Sequence, residues 1–434
     1  MGTPSRIGAV LAALLGSLLT GAAWLAVTAP LALGLLHPRP IAPSPASVAT
    51  PTPETVPLDG RPVAAVLLSQ AGTEVTDFLA PYAVLAASGA FTVHAVAPAT
   101  DPAPTNGGLG IVPALTFAAL DARYPRGVDV VVIPNVLDPE SPVLRDWVLG
   151  QAARGALVVS ICEGARLLAE TGLLDGREAT SHFAALGALR AAHPAVRWRD
   201  DRRWVEDGPL LTSAGVTAAI DASLRIVERR AGAEVAERTA AALALSPPRD
   251  PVAAGPALSA GDVAIALLQG AFAWPKRRIA VPLADGVDEM RLAATLDAWP
   301  RTFAAWTDTT TRDRRPVRSR HDLTLLPSSA PSDDDPPHLA DAGVGSPFDH
   351  VLTAIAHQLG GRTARLVAVQ LEYPAAGLAL ATRPTPVAAL ALRALLLVAA
   401  GAAAGLGARA VWRRRRGGAV QLVALALVLG TFPA

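Results

Sequence analysis

The sequence predicts an α/β protein on a doubly wound parallel sheet, and three observations carry that expectation. Apolar runs of strand length recur at Arg61–Leu68, Phe91–Ala97, Asp129–Pro134 and Ala156–Ile161, near-continuous in Val, Ile, Leu and Ala as strands buried on both faces require. Segments with helical apolar spacing alternate with these runs. The fourth run ends at Cys162, the chain's one cysteine, where strand must turn abruptly into helix.

At 434 residues, 51% of them hydrophobic, the chain has room for two domains and for membrane segments. Ile7 to Leu36 holds no charge and exceeds the ~20 residues that span a bilayer, so residues 7–36 read as a membrane anchor, with a cleaved signal peptide as the alternative. Residues 37–60, rich in Pro, Thr and Ser, read as an extended spacer.

The strand at Arg61–Leu68 opens a soluble domain over 61–247. A helix starts after Gly72, with Val75, Phe78, Leu79, Tyr82 and Leu85 at helical spacing. Leu144–Arg154 is the next helix. Beyond Gly164, Ala165, Leu167, Leu168 and Leu173 suit a short one. Pro209–Thr212 reads as a late strand and Thr217–Arg230 as the closing helix.

After a linker at 248–258 the sequence begins again. The stretch from Arg278 matches the strand and helix at Pro62–Ala80. Phe348–Gly360 lies over Ile220–Gly232, with Asp349 over Asp221, Leu352 over Leu224 and Gly360 over Gly232. Residues 259–375 are therefore expected to form a shortened, degenerate second copy without an elbow, with Pro327–Pro337 as a loop; a helical appendage of similar composition is the alternative. His321, His338, His350 and His357 show no metal-ligand spacing, and no metal or cofactor is expected.

Residues 387–411 form a second apolar span, 412–417 a basic loop holding Arg413 to Arg416, and 418–433 a third span. Arginines beside a span mark the cytoplasmic side, and Arg6 gives the same sign for the first span. The reading is a multi-pass protein of the cell membrane with residues from about 38 to 385 outside. A net charge of +1 gives no broad basic surface for nucleic acid.

One cysteine excludes an intrachain disulfide and leaves a free thiol. Buried cysteine is commonly a small hydrophobe. At a strand-to-helix turn, however, the helix end and backbone N–H groups favour the thiolate and lower the thiol pKa.

The stretch from Gly155 to His182 decides between these. Cys162 is followed by Gly164-Ala165, by Gly172-Leu-Leu-Asp-Gly176 and by Ala179-Thr-Ser-His182. This run resembles the nucleophile elbow of the DJ-1/PfpI family (class I glutamine amidotransferase-like, flavodoxin-like fold), in the branch with isonitrile hydratases and the amino-terminal domains of AraC-type regulators. The resemblance covers about residues 61–247.

It implies Cys162 as nucleophile and Asp77 as the acid that hydrogen-bonds it or relays a proton; without it, Asp77 reads more readily as a first-turn helix acid. It places His182 near the elbow, as a base or as a structural residue. Glu163 follows the nucleophile, where its N–H would serve an oxyanion pocket and its carboxylate would shuttle a proton, though it would also oppose a thiolate; a helix-stabilising acid is the alternative. Family members supply a second oxyanion donor from a Pro-Gly-Gly turn, and here Pro134 is followed by Asn135, a residue that tolerates positive φ. Members commonly dimerise around the elbow, which implies a homodimer or an intrachain pseudo-dimer with the second copy.

Two functions remain open at this point. One is a membrane-anchored, cysteine-dependent hydratase or hydrolase acting on a small electrophile. The other is a tethered small-molecule-binding or redox-sensing domain without turnover.

Overall fold

The computed structural model describes residues 3–39, 60–246, 258–331, 345–374, 378 and 387–414. Most of the 37–60 spacer, of the 248–258 linker and of the Ser/Asp/Pro-rich loop, and the whole apolar run at 418–433, lie outside the described residues.

The elements begin with α1 (Thr3–Gly34), β1 (Val63–Leu67), α2 (Val75–Ala87), β2 (Thr92–Ala97), β3 (Ala103–Thr105), β4 (Leu109–Val112) and β5 (Leu115–Thr116). Next come α3 (Phe117–Arg123), β6 (Val130–Ile133), α4 (Pro142–Ala153), β7 (Leu157–Ser160), α5 (Ala165–Glu170), β8 (Glu178–Ala179), α6 (Phe183–Ala192) and β9 (Arg197–Trp198). β10 (Trp204–Asp207), β11 (Leu210–Ser213), α7 (Ala218–Ala231), α8 (Ala233–Ala242) and α9 (Ala260–Phe272) follow. The last are β12 (Arg277–Pro282), α10 (Glu289–Ala298), β13 (Ala305–Thr310), β14 (Val317–Arg318), β15 (Thr324–Pro327), α11 (Pro347–Leu359), α12 (Gly361–Gln370) and α13 (Val387–Arg414). They divide into two compact units: α1, α13 and the part of α9 from Ala264 make one, and the remaining elements make the other.

In the larger unit a seven-stranded sheet runs β10-β11-β7-β6-β1-β2-β5. The four apolar runs of the sequence are its centre, β7, β6, β1 and β2, all parallel. β1 shows why such strands carry no polar alternation: Val63, Ala65 and Leu67 enter one apolar core, while Ala64, Val66 and Leu68 enter the other. The first core holds α3 to α6; the second holds α2, α7 and α8. The sheet departs from the all-parallel expectation at one edge, where β10 runs antiparallel to β11. Gly208, at φ 66° in a two-residue turn, folds one strand back on the other.

The chain leaves β1 towards β2 on one side and returns to β6 on the other. The crevice beyond the carboxyl ends of β1, β6 and β7 is therefore the topological switch point, where doubly wound sheets place their sites.

Beyond residue 276 several features of the first half recur. β12 and β13 pair in parallel, as β1 and β2 do, with α10 between them in sequence. Asp288 caps α10 by accepting the Arg291 N–H, and Glu74 caps α2 by accepting the Asp77 N–H. Gly232 separates α7 from α8 at φ 91°, ψ 161°, and Gly360 separates α11 from α12 at φ 93°, ψ 152°. Among the described residues this second set includes no strands in the place of β6 and β7. The two sets share one core: Phe348, Leu352, Leu292 and Leu296 join the α2 and α7 side. They also share a four-stranded sheet, β14-β15-β4-β3, in which Thr324 pairs with Val112 and Pro327 with Leu109.

In the smaller unit α1 and α13 run antiparallel, with Gly8 beside Arg409, Ala12 beside Gly405 and Gly16 beside Gly401. A Cβ on Gly16 would lie 2.2 Å from the Gly401 carbonyl oxygen, so glycine is required for the backbones to come this close. Ser17 Oγ donates to the Val398 carbonyl at 3.0 Å. Ile7–Gly34 and Val387–Trp412, with mean hydropathies of 2.1 and 2.2, are long and apolar enough to cross a membrane. Their outward leucines, Leu18 and Leu395 among them, are exposed.

Candidate active site

β7 ends at Ser160, and one 3-10 turn, Cys162–Gly164, leads into α5. Cys162 sits at φ 56°, a left-handed conformation that L-residues with a Cβ disfavour. Three neighbours hold it there. Its N–H donates to the Ala214 carbonyl at 3.2 Å, and its carbonyl accepts from Ser181 Oγ at 2.8 Å. Gly164 has ordinary helical angles; its role is space, because a Cβ there would stand 2.2 Å from the Ile133 carbonyl oxygen. The Cys-x-Gly spacing thus lets the elbow press on the end of β6. Cys162 is only 5% exposed.

Asp77 comes from the first turn of α2 and is fully buried. Its N–H donates to Glu74 Oε2 at 2.6 Å. Its Oδ2 accepts the Asn135 N–H at 3.2 Å, and its Oδ1 has no hydrogen-bond partner among the described residues. The Asn135 carbonyl in turn accepts the Glu74 N–H at 2.9 Å. The turn after β6 is thereby clamped to the cap of α2. This corrects two expectations for Asn135: its backbone is not left-handed, and its amide is engaged by Asp77 instead of being offered to an oxyanion.

Glu163 turns away into an ion pair with Arg166, Nε to Oε2 at 2.8 Å. His182 caps α6: its Nδ1 accepts from the Ala184 N–H, which assigns the proton to Nε2, and Nε2 donates to the Gln370 carbonyl at 3.1 Å. With both nitrogens committed, and no hydrogen bond to Cys162 among the described residues, the structure does not bring His182 to the thiol as a base.

Sequence reasoning missed four residues that surround Asp77. Arg301, largely but not fully buried in the turn after α10, donates to Asp297 through Nε at 2.8 Å and Nη2 at 3.1 Å, with Nη2 3.6 Å from Glu74 Oε1. Asn106 bridges the carboxyls, with Nδ2 3.2 Å from Glu74 Oε1 and 3.4 Å from Asp297 Oδ1, while its Oδ1 accepts the Val75 N–H at 2.6 Å. Glu74 was legible as a helix cap three residues before Asp77. Nothing in the sequence marks Asp297 and Arg301, whose i,i+4 spacing is that of an ordinary surface pair.

Three carboxyls and one guanidinium in a buried site cannot all carry charge. Burial pushes Asp77 up from 3.8 to about 8, against the opposing pull of the Glu74 and Asn135 contacts. Burial, then Asp297 and Asp77, push Glu74 well above the carboxylate range. The thiol follows: burial first, then Asp77, Glu163 and Glu74 raise Cys162 well above its usual value, and Arg301 alone opposes them. The expectation of a thiol lowered by the helix end is thus overturned. A one-turn 3-10 segment stabilises an anion less than desolvation and neighbouring carboxylates penalise it.

A cysteine on a strained strand-to-helix turn, at the switch point of a doubly wound sheet and within electrostatic reach of a buried acid, defines the chain as a doubly wound α/β protein with a cysteine at its strand-to-helix elbow. The DJ-1/PfpI family model matches residues 63–229. Over 167 residues the chain is 32% identical to the isonitrile hydratase of Pseudomonas putida, covering 37% of this chain and 69% of that protein. The chain belongs to the DJ-1/PfpI family. It is also 32% identical to protein DJ-1alpha of Drosophila melanogaster, covering 29% of this chain and 59% of that one. Against the HTH-type transcriptional regulator CdhR of Pseudomonas aeruginosa it is 36% identical, covering 22% of this chain and only 28% of that one. Among solved structures, Drosophila melanogaster DJ-1beta aligns at a TM-score of 0.39 and 26% identity, over 43% of this chain and 99% of that one.

Proposed function

We propose that this chain is a membrane-anchored member of the DJ-1/PfpI family in which Cys162 adds to a small, uncharged electrophile and Asp77 moves the proton, giving a hydratase or hydrolase. The observation that carries the reading is the strained Cys162 within electrostatic reach of a buried Asp77 whose Oδ1 lacks a partner among the described residues. A strained φ persists only where its surroundings impose it, and a merely structural cysteine has no use for it. A carboxyl kept protonated at neutral pH is an acid poised to donate.

For an isonitrile, the class on which the Pseudomonas putida relative is named to act, the steps balance as follows. Sulfur attacks the terminal carbon, Asp77 gives its proton to that carbon, and the thiol proton passes to Asp77, leaving a thioimidate. Water then adds its oxygen to the carbon and the C–S bond breaks; one proton goes to nitrogen and one to sulfur, releasing the formamide and the thiol. The acceptor is uncharged because the site already holds more carboxyls than cations. It is small because Cys162 is nearly enclosed.

The alternative, binding without turnover, is favoured by that same enclosure. Peroxide sensing fits less well, since it requires an accessible thiolate and here the thiol is held neutral. For the membrane part, α1 and α13 serve as spans, Arg413 to Arg416 as the cytoplasmic mark, and the larger unit as an extracytoplasmic domain.

The test is formamide production from small isonitriles by the full chain in detergent. Turnover abolished by Cys162→Ser upholds the enzyme; saturable binding without product in the wild type upholds the alternative.

A further inference from the structure

We propose that residues 277–372 act as a covalently attached second subunit, docked on the first half about a local two-fold, that inserts Arg301 and Asp297 into the Cys162 site as the ion pair positioning its carboxyls. The proposal rests on the reading above only for the location of the site.

The local two-fold follows from strand register. β4 and β15 occupy equivalent places in the two halves, and their antiparallel pairing is symmetric: Leu109 meets Pro327 as Val112 meets Thr324. Around this seam the matching parts face each other. α2 packs on α10, with Thr76 Oγ1 donating to the Ala293 carbonyl at 3.2 Å. The bridges that tie each helix-capping segment to its hairpin are also equivalent, Thr73 to Thr105 in one half and Val287 to Ser319 in the other.

The halves differ where chemistry is concerned. Aligning the capped starts of α2 and α10, Asp288 matches Glu74, but Arg291 stands where the first half has Asp77. Asp297 and Arg301 fall opposite Ala83 and Ala87, which carry no charge. The second half therefore has no acid or cysteine of its own in these places and carries a largely buried ion pair that reaches Glu74 of the other half. It also closes the elbow from a second side. Gln370 Nε2 holds the Arg301 carbonyl at 2.9 Å, the Gln370 carbonyl takes the His182 proton, and Glu372 Oε1 accepts the Phe183 N–H at 3.1 Å.

The charged groups acting on the thiol are Asp77 and Glu74 on α2, Glu163 on the elbow, whose carboxylate is held by Arg166, and Arg301 from the second half, while Asp297 acts on Asp77. Arg301 is the one cation among those acting on the thiol. Its removal acts on the thiol in one direction, and removal of Glu74's charge acts in the other.

The experiment is a titration of Cys162, the chain's one thiol, by thiolate ultraviolet absorbance in the full chain in detergent, with Cys162→Ser as the blank. Arg301→Gln is expected to raise the midpoint by about one unit, Arg301→Lys to leave it near wild type, and Glu74→Gln to lower it by about one unit. A merely loosened cavity would admit water and lower the midpoint in both Gln variants. That result, or an unchanged midpoint in Arg301→Gln, overturns the positioning role. Sedimentation of the full chain as a monomer upholds the built-in partner, and a stable homodimer of it overturns that part. Turnover is not read here, so these shifts without any hydratase activity would sink the enzyme and leave this proposal standing.

Discussion

Asp77 meets Asn135 with one carboxyl oxygen only: Oδ2 accepts the backbone N–H at 3.2 Å, and Oδ1 lies buried without a partner among the described residues. Asp77→Asn keeps the acceptor for Asn135 but removes the transferable proton and the negative charge. The thiol, relieved of the carboxylate that raises it most, titrates lower and is alkylated several-fold faster. Turnover falls by about 10²-fold or more, the range of a lost general acid. Measuring both on one preparation separates the roles, and turnover kept within about tenfold of wild type would remove Asp77 from the chemistry.

The raised carboxyl also fixes a pH dependence of stability. Asp77 titrates at about 8 in the folded chain and near 3.8 when unfolded, so between these values the native state holds the extra proton. Its contribution is complete below about pH 4 and is lost as pH rises through about 8. Glu74 acts in the same direction. Carboxylates such as Asp207, held low by the Glu178 N–H and Arg177, act oppositely, so the informative quantity is a difference. The stability of wild type minus that of Asp77→Asn, from denaturant unfolding, is expected to fall as pH rises over this range; parallel curves would contradict the buried, protonated Asp77.

Backbone strain at the elbow gives a result with an unusual sign. Glycine normally costs stability relative to alanine. At φ 56° the order reverses, because the left-handed conformation costs a residue with a Cβ about 1 kcal/mol. Cys162→Gly is therefore expected to be more stable than Cys162→Ala by about that amount, measured by chemical denaturation. An alanine variant at least as stable as the glycine one would mean that the elbow relaxes and stores no strain.

What the sequence made legible was local, and what it hid was long-range. The central strands were readable because burial on both faces leaves an uninterrupted apolar run, as in Val130–Ile133. The elbow was readable because Gly164 must be small against Ile133. The direction of the Cys162 shift was read wrongly: a helix end is visible in sequence, whereas the carboxyls of α2 reach the thiol only through the fold. Arg301 shows the same limit, since its partner Glu74 lies 227 positions away and no spacing rule connects them. β10 was a different kind of miss. Its Asp207-Gly208-Pro209 turn was present in the sequence and was not read as a hairpin.

The helix pair of the smaller unit carries the last prediction. In the membrane-spanning role proposed for α1 and α13, no hydrophobic force favours their association in lipid, so close backbone approach has to hold them together. Gly405 provides it, since a Cβ there would stand 2.0 Å from the Ala12 carbonyl oxygen, whereas Gly407, two residues on, has nothing within 4 Å of its own. In a Cys162→Ser background, Ser17→Cys with Val398→Cys puts one thiol on each helix at the level where Ser17 Oγ donates to the Val398 backbone carbonyl, and mild oxidation in membranes should join them. Adding Gly405→Leu is expected to slow that crosslink by about tenfold or more, while Gly407→Leu leaves it unchanged. The same helix hydrophobicity in both variants excludes a difference in membrane insertion. Equal crosslinking in the two would mean that α1 and α13 are held by their termini alone and that the glycine contact contributes nothing.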